Sequence, residues 1–135
     1  MALNLFGKDL FMSPAKKKEQ DNNYYQKIFP LGNKQQEWEN KIFDKLFPNN
    51  NHLPSLKYIS FIRREMYIDG IQDDETTSNY KHYKKMSKRM KLSIDELAII
   101  ESLVKLENEA KSFDELPSIE KIKENINYEN VIITK

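Results

Sequence analysis

The 135 residues contain no cysteine, which excludes disulfide frameworks, thiolate zinc sites, iron–sulfur clusters and cysteine nucleophiles. Glycine is nearly as scarce. Gly7, Gly32 and Gly70 stand far apart, whereas phosphate-cradling loops need clustered glycines to let the backbone approach the anion. No apolar run comes near the ~20 residues that a spanning helix requires, so no membrane span is expected. Sustained period-two alternation is also missing, and Asp69-Gly70, the one hairpin-type dipeptide, leads into acidic residues instead of a strand. These absences leave an all-α chain, and its length suits one domain.

Catalytic chemistry has little to work with. The two histidines lie apart, His52 in an asparagine-rich stretch and His82 in a basic one. Neither has a carboxylate one helical turn away to orient it, and no histidine pair at helical spacing offers a zinc or di-iron ligand set. Asp73, Asp74 and Glu75 lack the alternating ligands and the glycine of a calcium loop. The expectation is a chain without metal or cofactor, and not an enzyme.

Proline and capping residues divide the chain. Residues 1–12 carry Leu3, Leu5, Phe6, Leu10 and Phe11 with only Lys8 as a cation, which does not resemble a secretory leader. They read as an apolar arm of a cytoplasmic protein. Ser13 and Pro14 open a helix that Pro30 stops after Phe29. Asn33 is the expected cap of a second helix ending at Phe47 before Pro48, with Trp38, Ile42, Phe43, Leu46 and Phe47 on its apolar side. Pro54 begins a third helix, striped by Leu56, Ile59, Ile62 and Met66, and Gly70 ends it.

Residues 72–79 are polar throughout and read as a mobile linker within a single helical domain spanning 13–130. A fourth helix follows over about 79–91. Ser93 with Glu96 forms a capping box for a fifth that reaches about Lys111. Pro117 and Ser118 start a short sixth helix through Ile126, and residues 131–135 are left as a short, extended tail. The expected architecture is thus a compact bundle of five or six helices. Its most buried side chains should include Trp38, Phe43, Leu56, Ile59, Ile62, Met66, Leu97, Ile100, Leu103 and Val104. The fifth helix bears two adjacent apolar stripes, which favours a central position in the bundle over an oligomer contact.

Charge carries the one functional signal. Twenty-two basic side chains nearly balance twenty-one acidic ones, yet residues 80–91 hold six cations and no acid, and residues 92–130 hold ten acids against four cations. On a helical wheel Tyr80, Tyr83, Met86, Ser87 and Met90 share one arc, and Lys81, Lys84, Lys85, Lys88, Arg89 and Lys91 occupy the rest. Those six cations are the candidate anion- or partner-binding face. The connection to the fifth helix is short, so the acidic segment is expected to neutralise part of that face, with an acidic protein partner taking the remainder.

Helix-turn-helix spacing overlaps this segment, with Lys91 standing at the turn where glycine is usual. The residues that would then meet base edges are Ser93, Ile94, Asp95 and Glu96. Two carboxylates there oppose phosphate, and no Arg, Asn or Gln is placed to read a base. Nucleic-acid binding is the disfavoured alternative. The preferred reading is a non-catalytic protein-interaction or regulatory module, monomeric or homodimeric, whose partner is another protein.

Overall fold

A computed structural model describes residues 23–134; the expected arm over 1–12 and the opening of the first helix lie outside them. The described chain is helical with no strand. Residues 23–28 form α1. There follow α2 (Asn33–Leu46), α3 (Leu53–Ile68), α4 (Ser78–Arg89), α5 (Ile94–Glu109) and α6 (Ile119–Glu124). Short 3₁₀ turns occur at Phe113–Glu115, Tyr128–Asn130 and Ile132–Thr134.

The helix ends follow from local chemistry. Phe29 N–H reaches the Tyr25 carbonyl and Phe47 N–H the Phe43 carbonyl, each directly before a proline, so one stop signal serves α1 and α2 alike. Asn33 does not cap α2. The cap is Gly32, which offers no side chain, and the Gln35 side chain instead reaches back to accept from Leu31 N–H at 3.0 Å. At the end of α3, Gly70 adopts φ 70° and Ile71 N–H returns to the Met66 carbonyl, a Schellman stop. Ser93 and Glu96 form the expected capping box of α5, with both reciprocal hydrogen bonds present.

The core is organised around α5. Leu97, Ile100, Leu103 and Val104 are fully buried, and α5 makes its most extensive contact with α3, then with α6 and the Tyr128–Asn130 turn. α4 packs on α3 and reaches α5 through Tyr83, and α2 meets α6. Phe43, Leu56, Ile59, Ile62 and Met66 occupy the core as expected. Trp38 does not: it is half-buried and only flanks the core, because the inward arc of α2 is taken by Gln35, Glu39, Ile42, Phe43 and Leu46.

Two further segments have local structure of their own. Residues 72–79 are a sequence of hydrogen-bonded turns. Asp74 Oδ1 accepts from Thr76 N–H, Thr77 caps α4 by accepting from Tyr80 N–H, and the Gln72 carbonyl accepts from Arg63 at 2.6 Å. Local hydrogen bonds and one buried cation tie down a segment that has no apolar anchor of its own. The tail is not extended as expected. Val131 and Ile132 are buried and the Ile132–Thr134 turn packs on α4, because a docked turn removes their β-branched side chains from water where a free strand would not.

Candidate functional site

α4 turns the expected arc inward. Tyr80, Tyr83 and Ser87 are buried, and Met86 and Met90 are half-buried against the core. Lys81, Lys85, Lys88, Arg89 and Lys91 are exposed and Lys84 is half-buried, so the six cations share the outer surface of one helix and its C-terminal turn. Lys88 and Arg89 sit in the last turn, where the helix dipole favours positive charge. His82, on the same surface, meets the ring of Tyr58 edge-on and pairs with its hydroxyl at 2.8 Å.

The expected neutralisation by the following acidic segment does not occur. Among the described residues, none of the six cations comes within 4 Å of a carboxylate. Four of the five acids of α5 are engaged elsewhere. Glu96 is held by Ser93 and by Asn50 Nδ2 at 3.1 Å. Burial works to raise its pKa, but these donors outweigh it and hold the carboxyl below its ordinary value. Asp95 accepts from the Tyr128 hydroxyl at 2.7 Å. Glu101 and Glu107 point into the interior, away from α4's outer surface.

There they meet two adjacent arginines of α3 that composition alone gave no reason to place inside. Successive helix residues diverge by about 100°, so Arg63 and Arg64 reach different sides of α5. Arg63 Nε donates to Glu101 Oε1 at 2.8 Å, and the other carboxylate oxygen accepts from the Tyr83 hydroxyl at 2.9 Å. The Arg63 guanidinium also lies over the rings of Tyr67 and Tyr83 at 5.0 and 5.5 Å. Arg64 donates through Nη2 to Glu107 Oε1 at 2.9 Å, closes on the Glu39 carboxylate, and lies over Phe29 at 4.7 Å. The remaining Glu107 oxygen accepts from Gln35 Nε2 at 2.9 Å.

The first cluster joins α3, α4, α5 and the 72–79 turns; the second joins α2, α3, α5 and the end of α1. Burial raises the pKa of both Glu101 and Glu107 against the pull of their arginines, and lowers that of Arg64. A sequence signal for this seam existed. Arg63 follows Ile59 by four residues and Glu101 follows Leu97 by four, so each charge continues an apolar stripe at helical spacing.

The cavity beside Arg64 and Glu107 measures about 30 Å³, room for one water and too little for a substrate. Among the described residues no group of three or more histidine, aspartate or glutamate side chains converges as a metal site, and no helix is long and apolar enough to cross a membrane.

The α4–α5 connection has its own geometry. Lys91 adopts φ 57°, Lys91 N–H returns to the Lys88 carbonyl and Leu92 N–H to the Ser87 carbonyl, with Leu92 buried beneath. A lysine here takes the left-handed position that a glycine holds after α3. α5 itself is enclosed; of its first two turns only Ile94 and Asp95 are fully exposed. Comparison with protein-family models, with curated proteins and with solved structures yields no match to this chain.

Proposed function

We propose that the protein is a non-catalytic interaction module that binds an acidic segment of another protein on the outer face of α4. The observation that carries this reading is that Lys81, Lys84, Lys85, Lys88, Arg89 and Lys91 share one helical surface and none is neutralised from within the described residues. Six uncompensated like charges on one short surface repel each other, and an anionic partner relieves that repulsion as it binds.

A nucleic acid is the rival anion, and the left-handed turn at Lys91 supplies part of a helix-turn-helix outline. Two features favour protein over duplex DNA. The second helix of that outline is the central helix of the core, so most of its surface is taken up by packing and little is free to lay in a groove. The exposed residues of its first turn, which would meet the groove first, are Ile94 and Asp95, neither of which suits phosphate.

Binding to a glutamate-rich peptide and to random-sequence duplex DNA, each titrated across salt, tests the reading. The peptide should bind with strong salt dependence, and the Lys84→Glu, Lys85→Glu, Lys88→Glu triple variant should abolish this. Stability should change by no more than ~0.5 kcal/mol per substitution, since no internal ion pair is lost. Tighter binding to DNA than to peptide at physiological salt, lost in the triple variant, would transfer the face to nucleic acid. Binding to neither would overturn the proposal.

A further inference from the structure

A second surface lies off α4. Between α2 and the 113–120 segment runs an open groove of about 530 Å³. Its floor is formed by Trp38, Ile42, Phe113 and Ile119. This is where the side chain expected in the core is found: Trp38 is half-buried, and Phe113 remains 46% exposed. Two aromatic rings are thus left partly in water along one groove, and aromatic side chains are the kind enriched where interfaces close.

The α2 wall adds charge. Lys34, Lys41 and Lys45 line the groove, and among the described residues none is ion-paired. Lys34 lies 5.9 Å above the Phe113 ring and so stands over the floor. Two carboxylates also line it, Glu37 on α2 and Glu120 on the opposite wall, leaving the α2 side net positive.

Length decides between kinds of occupant. From Lys34 to Lys45 the wall follows eleven residue steps of helix, about 16 Å at 1.5 Å each. That suits about five residues of extended peptide at ~3.3 Å each better than a compact small molecule. We infer that this groove binds a short segment of a partner protein, with apolar side chains seated on Trp38 and Phe113 and carboxylates facing Lys34, Lys41 and Lys45. The inference stands apart from the reading of α4, because no residue of α4 lines the groove.

Trp38 is the only tryptophan, so its emission reports the groove directly. The probes are a capped pentapeptide with leucines flanked by glutamates, the same peptide with lysines for glutamates, and dodecanoate. The acidic peptide should give a saturable blue shift. Lys41→Glu with Lys45→Glu should weaken it by roughly tenfold or more, and Phe113→Ala should abolish it, with the helical circular dichroism unchanged in each. The α4 triple variant should bind this peptide as the parent does, which separates failure here from failure at α4. Equal binding of acidic and basic peptides would overturn the inference, as would binding of dodecanoate without either peptide. A blue shift appearing on self-association at high protein concentration, with no peptide effect, would assign the groove to a second copy and equally overturn it.

Discussion

The inner seam between α3 and α5 and the outer face of α4 both carry several charges, yet they treat them in opposite ways. In the seam every charge is matched: Arg63 with Glu101, and Arg64 with Glu107 and Glu39, with Tyr83 and Gln35 donating to the second oxygens of Glu101 and Glu107. On α4 six cations stand without a carboxylate among the described residues. The cause lies in desolvation. A buried ion must find partners or neutralise, whereas a solvated lysine is stable unpaired. Arginine suits the first setting because its flat, weakly hydrated fork satisfies several acceptors and rings at once; lysine suits the second. One charge type therefore joins helices inside the protein and remains available outside it.

The comparison breaks most sharply at Arg64. Arg64→Met leaves the buried Glu39 and Glu107 carboxylates without their shared cation and should cost ~3–5 kcal/mol in urea unfolding. Lys84→Glu on the outer face should change stability by no more than ~0.5 kcal/mol. A similar loss from both would mean that the two regions do not differ as described.

Alkaline titration is the next largest effect. Burial, reinforced by the Glu101 carboxylate, pushes the Tyr83 hydroxyl well above its ordinary 10.0. The unfolded chain gives up this proton near the ordinary value and the native state retains it, so the native state binds more protons above it. The stability contributed by the protonated hydroxyl is complete below pH 10.0 and falls as pH rises beyond, by up to ~1.4 kcal/mol per pH unit for this group. Urea midpoints from about pH 9 to about pH 11 should show the fall. Tyr83→Phe should flatten the slope while lowering the plateau, because Glu101 loses a donor.

The smallest effect lies at the turn after α4. Lys91 holds φ 57° with its side chain exposed and, among the described residues, in no ion pair. Lys91→Gly should therefore raise stability by ~1 kcal/mol, visible as a higher Tm, by removing the left-handed penalty. Lys88→Gly, inside the last turn of the helix, should lower it by a similar amount.

Much of the fold was legible because it rests on local chemistry. The stops before Pro30 and Pro48, the glycine after α3 and the Ser93–Glu96 box act within a few residues, and each mark in the sequence coincides with a helix end. Apolar periodicity likewise placed Leu97, Ile100, Leu103 and Val104 at the centre. The candidate face was legible too, since six cations around one helix follow from the helical repeat alone. Whether anything neutralised them was not, because the answer depends on where the acids of α5 point.

The sequence by itself determined which segments are helical, where most of them end and which surface of α4 is basic, because periodicity and capping operate over one or two turns. Only the tertiary structure decided that Arg63 and Arg64 enter the core and Trp38 stays at its edge. It also decided that Arg63 reaches the Gln72 carbonyl and that the Ile132–Thr134 turn packs on α4. Each of these joins residues far apart in the chain, where the gain comes from pairing a buried charge or covering an apolar surface, and neither gain exists until the helices have packed.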